Sequence, residues 1–130
     1  MIRQFFFIAA LCCAAAHAQS QPSGTFPTAF PPDAKAPEAS ALAERLRGQV
    51  FTAKLTNGTG WRLEYQSSGY AFADISNGAR DNGKWRTEDG RVCVEYVGRF
   101  PSGCAEVRVS GDTLYYKSYV TGEVVVIEKK

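Results

Sequence analysis

The sequence predicts an all-β fold: a small antiparallel meander barrel of about eight strands, with one short N-terminal helix and one disulfide. Three observations lead to this prediction. Turn signals that contain glycine recur after residue 48 at spacings of roughly 8–12 residues. Apolar and polar side chains alternate between these signals, as they do in strands with one buried face. A domain this small buries a limited core, and closing its sheet into a barrel removes the exposed strand edges.

The first eighteen residues have the organisation of a secretory signal peptide. Arg3 supplies the positive charge and Phe5–Ala16 the apolar stretch, which is short for a membrane span. The sequence around Ala18 fits the rule of small residues at a cleavage site, so the mature chain is expected to begin at Gln19. The expected location is therefore periplasmic or secreted, with no transmembrane segment in the mature chain.

Cleavage would also change the reactive groups that remain. Cys12 and Cys13 would leave with the signal peptide, and two cysteines would stay, which suits one disulfide in an oxidising compartment. The single histidine, His17, would leave as well. The alternative is lipidation at Cys12 or Cys13, which Leu11 disfavours because a small residue normally precedes a lipidated cysteine.

Residues 19–37 are rich in proline, which predicts an extended, flexible linker. Its two aromatic residues, Phe26 and Phe30, either lie free in this linker or dock onto the domain or a partner. Residues 38–47 predict a short helix, because alanine and leucine dominate and Gly48 is placed to end it.

The single domain is expected to span residues 38–130, with the barrel in 49–129. The predicted strands lie near 49–55, 61–66, 69–76, 83–88, 91–97, 104–110, 113–118 and 123–129. The turns between them are marked by Asn57-Gly58, Ser67-Ser68-Gly69, Asn77-Gly78, Asp89-Gly90, Gly98 to Gly103, Gly111-Asp112 and Thr121-Gly122.

Side-chain alternation assigns one face of each strand to the core. The aromatic residues expected there are Trp61, Tyr70, Phe72 and Trp85. The other expected core residues are Leu63, Tyr65, Val92, Val94, Tyr96, Val107, Val109, Leu114 and Tyr116.

Asp89-Gly90 is a strong hairpin signal between two alternating runs. If 98–103 forms the next turn, Cys93 and Cys104 lie nearly opposite each other on adjacent strands, close enough for a disulfide. The alternative is a thiolate pair for redox or metal chemistry. The spacing is not Cys-x-x-Cys and further ligands are lacking, so a disulfide is favoured and no metal is expected.

The run from Gly60 to Tyr96 resembles small secreted bacterial domains of unknown function. The motifs that carry the resemblance are Gly69-Tyr70-Ala71-Phe72, Gly83-Lys84-Trp85, Cys93, Cys104 and Gly122-Glu123. The likeness covers about residues 48–129. It implies a fold and a compartment and brings no established catalytic residues.

Several chemistries are excluded from the expected mature chain. Without histidine there is no Ser-His-Asp triad, no Cys-His dyad and no His-ligated zinc, and oxidised cysteines are not nucleophiles. No phosphate-binding glycine loop is present, and no cofactor is expected. The 15 basic and 13 acidic residues are nearly balanced, which gives no case for a nucleic-acid partner.

Acidic residues leave an enzyme possible in principle, through two carboxylates that face each other. The candidates are Glu64, Asp74, Glu95 and Glu106. Asp74 is the most interesting, because it shares its strand face with Tyr70 and Phe72 and burial there would raise its pKa. Solvated surface acids are the more common explanation, and the chain is not expected to be an enzyme.

Exposed aromatic residues suggest a contact patch. Tyr115 and Tyr116 are adjacent and point to opposite faces, so Tyr115 is expected outside. With Phe100 and Tyr119 it forms the candidate binding surface. The preferred function is thus a secreted or periplasmic binding module for another protein, as an inhibitor or adaptor, in which the 19–37 tail could take part. The alternatives are a small barrel for a lipophilic ligand and a structural protein of the cell envelope.

Overall fold

The computed structural model describes residues 27–55 and 58–130. In these residues eight antiparallel strands pair in sequence order and close into a barrel, which confirms the predicted meander. The elements are α1 (Ala39–Leu46), β1 (Gln49–Lys54), β2 (Gly60–Tyr65), β3 (Tyr70–Ile75), β4 (Arg80–Glu88), β5 (Arg91–Tyr96), β6 (Gly103–Ser110), β7 (Thr113–Lys117) and β8 (Val124–Lys129). The predicted signal peptide and cleavage site, Phe26 and Asn57 lie outside the described residues. Within the described ranges, α1 is too short and too polar to cross a membrane.

The two ends of the barrel differ. The β2–β3, β4–β5 and β6–β7 turns lie at one end, together with α1, and we call this the helix end. The β1–β2, β3–β4, β5–β6 and β7–β8 connections lie at the other, which we call the loop end. The longest described connections, residues 97–102 and 118–123, both belong to the loop end.

Helix α1 closes the helix end. Leu42 and Leu46 lie one helical turn apart and are fully buried in the barrel core. The start of the helix is held by the β4–β5 hairpin, because Asp89 accepts a hydrogen bond from the Ala39 amide at 2.9 Å. The chain then reverses at Gly48, whose positive φ of 73° suits glycine.

The face of β3 that is buried in the barrel is the opposite of the predicted one. Ala71 and Ala73 point inward and are buried, whereas Tyr70 is 47 % exposed and Phe72 lies on the outer side with partial exposure. The assignment of Tyr70 and Phe72 to the core is therefore wrong. The interior of an eight-stranded barrel is just wide enough for side chains, and larger rings from other strands already fill it.

Those rings form two groups of edge-to-face contacts in the core. Tyr65 packs against Phe51 with centroids 6.2 Å apart and against Trp85 at 5.4 Å. Trp61 packs against Tyr116 at 6.1 Å. Trp61 and Trp85 are partly buried and lie against the core cluster.

The described part of the proline-rich segment lies on the barrel. Lys35 exchanges two backbone hydrogen bonds with Val109, at 2.9 and 2.8 Å, and the Val124 amide donates to the Pro27 carbonyl. The Phe30 ring stacks on the Arg108 guanidinium, with 5.0 Å from Cζ to the ring centroid. Of the two interpretations of Phe30, the structure shows docking onto the domain.

Candidate functional site

The loop end carries an exposed apolar surface, which we call the loop-end patch: Phe100, Pro101, Tyr119 and Val120. Tyr119 is 38 % and Val120 66 % exposed, although both are large apolar side chains. All four line a shallow recess of about 220 Å³, whose floor includes Trp61 and Tyr116. The patch therefore joins the β5–β6 and β7–β8 connections across the mouth of the barrel.

The β5–β6 loop is held in place by Asp81, the second residue of β4. Its carboxylate accepts hydrogen bonds from the amides of Gly98, at 3.0 and 3.1 Å, and of Phe100, at 2.9 Å. Asp81 is only 9 % exposed. These backbone donors, the one on Phe100 above all, lower the pKa of the Asp81 carboxyl against the opposing effect of burial, so the group stays ionised.

Gly98 is required for this approach of loop and carboxylate. A Cβ atom at this position would lie 2.7 Å from Asp81 Oδ1, closer than side-chain atoms normally come. Any other residue would push the loop away from its anchor.

Three further contacts hold the loop. The Ser102 hydroxyl accepts a hydrogen bond from the Tyr96 amide at 2.9 Å, and the Tyr119 hydroxyl donates to the Pro101 carbonyl. The Phe100 ring packs edge-on against Tyr96, with centroids 5.5 Å apart. The loop is thus tied to β4, β5 and the β7–β8 connection, and it presents its apolar residues in one conformation.

Burial also raises the pKa values of the tyrosines at the loop end. Desolvation raises the pKa of Tyr96 far above its ordinary value of 10, and it raises that of Tyr119 as well. Both rings are therefore neutral hydrogen-bonding groups over the physiological pH range. Tyr119 can keep its bond to the loop throughout that range.

The structure separates the three residues predicted as a binding surface. Phe100 and Tyr119 meet in the loop-end patch, but Tyr115 lies outside it, on the outer face of β7 next to Phe30 and Val126. The expectation of one surface with all three residues is therefore wrong. Tyr115 projects from the middle of a strand, whereas the other two belong to connections at its end.

Tyr115 instead lines a groove of about 960 Å³ on the outside of the barrel. The groove exists because β1 and β8 pair over only two residues each, Phe51 with Lys129 and Thr52 with Glu128. Beyond that point the strands diverge, and the segment that begins at Pro27 runs beside the opening. The apolar lining includes Pro27, Phe30, Trp61, Tyr115, Val124 and Val126.

The candidate acids lie on strand faces that point out of the barrel, and two of them, Glu64 and Asp74, share one partner, Arg62 Nη1. Asp74 lies 3.6 Å from Arg62 and 3.4 Å from Arg80, and it is only partly buried. Glu64 pairs with Arg62, and Glu106 pairs with Arg108. The expectation that Asp74 lies on a core face is wrong, for the same reason that Tyr70 and Phe72 point outward.

Cys93 and Cys104 form the predicted disulfide between facing residues of β5 and β6, with Cα atoms 4.0 Å apart. The Glu88 carboxylate lies 3.2 Å from Cys93 Sγ and pairs with Arg86 and Arg91. Because both sulfurs are bonded to each other, this cluster offers no thiolate to a metal ion. Its effect is to fix the base of the β5–β6 hairpin.

Asp81 is the residue of this site that the sequence reasoning missed. The predicted strand began at Gly83, three residues later than β4 begins in the structure. A strand that includes residue 81 places Asp81 on the same face as Trp85. An acid on a core face beside a glycine-rich loop was the signal that could have revealed it.

No protein-family model, no curated protein and no solved structure matches the chain.

Proposed function

We propose that this chain is a secreted or periplasmic module that binds another protein through the loop-end patch. The observation that carries the proposal is a set of exposed apolar side chains on the β5–β6 and β7–β8 connections, of which the β5–β6 loop is held by hydrogen bonds from its amides to Asp81. Apolar and aromatic groups supply most of the energy of protein interfaces. A loop already held by Asp81, Ser102 and Tyr119 loses little conformational freedom on binding, so more of the contact energy appears as affinity.

A pair of matched variants tests this function. The mature chain, oxidised, is immobilised and exposed to periplasmic and secreted fractions, beside Val120→Asp and Val126→Asp. Val120 belongs to the loop-end patch and is 66 % exposed, whereas Val126 lies on the outer groove and is 42 % exposed. We expect the wild type and Val126→Asp to capture one protein in stoichiometric amount and Val120→Asp to lose it.

Two results would contradict the proposal. One is that the wild type captures no protein, and the other is that Val120→Asp captures it as well as the wild type does. Circular dichroism and thermal unfolding of all three proteins serve as the control for folding, since both substitutions are at exposed positions.

The outer groove favours a second candidate, the binding of a small lipophilic ligand. Its volume of about 960 Å³ and apolar lining match the usual size and character of ligand pockets. A ligand that binds only the folded protein raises its stability, by about 2.7 kcal/mol at a hundred times its dissociation constant. We would therefore screen fatty acids by thermal shift, with Val126→Asp expected to abolish any stabilisation and Val120→Asp to leave it unchanged.

A further inference from the structure

The gap between β1 and β8 leaves backbone groups of β8 without a strand partner. Antiparallel pairing of the two strands stops at Thr52 and Glu128. The Val124 amide donates to the Pro27 carbonyl at 2.7 Å, so it points away from β7 and toward the outer groove. Backbone groups that face the same neighbour recur at every second residue of an antiparallel strand, so the N–H and C=O of Val126 point the same way. In the part of the chain that the structure describes, no backbone group pairs with Val126 on this side.

Pro27 brings the N-terminal segment to this free edge of β8. Its carbonyl already accepts the first hydrogen bond from β8, and Pro27 itself lines the outer groove. After Pro27 the chain leaves β8, because Lys35 pairs with Val109 of β6. The residues that can continue along the edge are therefore those that precede Pro27. In the expected mature chain these are residues 19–26, which lie outside the described residues.

The two residues before Pro27 suit a strand. A residue that precedes proline is restricted to extended backbone angles, and this restriction applies to Phe26. Threonine and phenylalanine both favour strands. Proline has no N–H, so Pro27 can only accept a hydrogen bond from β8, as it does. In the antiparallel register that this bond defines, Thr25 faces Val126, and the two residues can exchange both of their backbone hydrogen bonds.

The same register directs the Phe26 side chain into the outer groove. Facing residues of paired strands point to the same side of a sheet. Phe26 would face Val125, which is buried in the barrel core. Its ring would therefore point into the gap between β1 and β8, where Trp61 is part of the apolar lining. An aromatic side chain matches this gap, because removing apolar surface from water is favourable on both sides of the contact.

We propose that Thr25 and Phe26 continue from Pro27 as a short strand on the free edge of β8, and that Phe26 fills the outer groove. The occupant of the groove is thus the protein's own N-terminal segment. A lipophilic molecule that enters the groove must then displace Phe26, so the segment controls access to this site. The inference is independent of the protein-binding function proposed for the loop-end patch.

Amide hydrogen exchange of the mature chain, followed by nuclear magnetic resonance, tests the proposed register. We expect slow exchange at Thr25 and Val126, whose amides would each donate to the carbonyl of the other. Exchange at Phe26 should be fast, because its amide would point away from β8. Nuclear Overhauser contacts should join the Phe26 ring to the Trp61 indole.

Three variants test whether Phe26 holds this strand in place. Phe26→Ser removes the apolar side chain, and we expect the Val126 amide to exchange about tenfold faster, the scale of one hydrogen bond's net contribution. Phe26→Leu stays apolar and should keep most of the protection. Gln21→Ser is the matched control, because it introduces the same residue into the same segment away from the proposed pairing, and it should leave the exchange of Val126 unchanged.

The inference is overturned if the wild-type Val126 amide exchanges as fast as an exposed amide without a partner, or if Phe26→Ser leaves its exchange unchanged. Protection that depends on protein concentration, with a dimer in analytical ultracentrifugation, would assign the groove to a second copy of the chain and would also overturn it. Protein capture by the wild type and its loss in Val120→Asp test the proposed function separately, so failure of one leaves the other standing.

Discussion

At the scale of single residues, Asp81 links the barrel wall to the surface that we propose for binding. One carboxylate accepts hydrogen bonds from the amides of Gly98 and Phe100 in the loop and from its neighbour Asn82. Hydrogen bonds from backbone amides to an ionised carboxylate are stronger than those between neutral groups, and together they keep a nearly buried charge in place. The loop therefore depends on the ionised state of one side chain.

Asp81→Asn tests this dependence. The pKa of Asp81 is lowered in the folded protein, so its ionised form stabilises the fold at pH values above 3.8, its ordinary pKa. This stabilisation is lost as the pH falls below 3.8 and through the lowered folded value. Urea unfolding should show the wild type clearly more stable than Asp81→Asn at pH 6, and the difference should shrink below pH 3.8.

Asp74→Asn is the control for this experiment, since Asp74 is a partly exposed surface acid paired with arginines. A stability difference between wild type and Asp81→Asn that is constant from pH 6 to pH 2.5 would contradict the role of the charge. Gel filtration at each pH would exclude changes in association as the cause.

The alternation that predicts strands does not by itself locate such a residue. Asp81 lies in an Asp-Asn-Gly run, which has the composition of a turn, and in the structure β3 pairs with all three residues while β5 pairs only from Gly83 onward. Its amide partners come from residues 98–100, which directly follow the neighbouring strand β5. The β4–β5 register, in which Gly83 pairs with Tyr96, brings residue 98 opposite Asp81, so the missed start of β4 is what hid this contact.

At the scale of elements, β3 shows what determines which of two apolar strand faces is buried in the barrel. One face of the strand is Tyr70 and Phe72, and the other is Ala71 and Ala73. Hydrophobicity favours burial of the aromatic face, but the interior volume permits only the small one. Volume decides here, because large rings from β1, β2 and β7 already occupy the centre of the barrel.

Substitutions on the two faces of β3 should therefore behave in opposite ways. Ala71→Leu inserts a larger side chain into a filled interior, and we expect a loss of about 1–3 kcal/mol in the free energy of unfolding. Tyr70→Ser changes a side chain that is 47 % exposed and should shift that free energy by about 0.5 kcal/mol or less. Urea denaturation followed by tryptophan fluorescence measures both.

If Tyr70→Ser proved the more damaging of the two, the assigned orientation of β3 would be wrong. Strands with one polar face present no such choice. On β5, for example, Val92, Val94 and Tyr96 form the apolar face and Arg91 and Glu95 the polar one, so pattern and volume agree. The sequence therefore predicts orientation where one face is polar and fails where both faces are apolar.

At the scale of the whole molecule, the order of the strands and a barrel were predictable, but the register of the closing strand pair was not. Short glycine turns force successive strands to be antiparallel neighbours, which leaves the meander as the simplest arrangement. The closing pair, β1 with β8, is set by the tilt and stagger of all eight strands together. No local sequence pattern predicts that β1 and β8 pair over only two residues each. The outer groove lies where this short pairing ends.

Some features of the candidate site could also be predicted from the sequence, and others could not. The disulfide and the exposure of the β5–β6 loop follow from strand register and turn composition, both of which are local. The union of Phe100 with Tyr119, and the exclusion of Tyr115, depend on which end of the barrel each connection occupies. The order of the strands is enough to place both connections at the same end, whereas Tyr115 lies in the middle of β7.

The buried tyrosines make the stability of the whole fold depend on pH in the alkaline range. Burial raises the pKa of Tyr65, Tyr96 and Tyr116 far above the ordinary value of 10. In the unfolded chain these hydroxyls ionise near pH 10, whereas in the barrel they stay neutral. Their burial therefore stabilises the fold fully below pH 10, and this contribution is lost as the pH rises further, so the protein should unfold at alkaline pH.

An alkaline titration followed at 295 nm, where tyrosinate absorbs, tests this prediction. We expect the absorbance of the three buried tyrosines to rise in a single cooperative step, at the same pH as the loss of the near-ultraviolet circular dichroism. In about 6 M guanidinium chloride, where the chain is unfolded, all of them should titrate smoothly near pH 10. A native protein whose six tyrosines titrate near pH 10 while the circular dichroism persists would show that the core is open to water. Such a result would contradict the closely packed barrel core, and with it the support for the fixed β5–β6 loop and the loop-end patch.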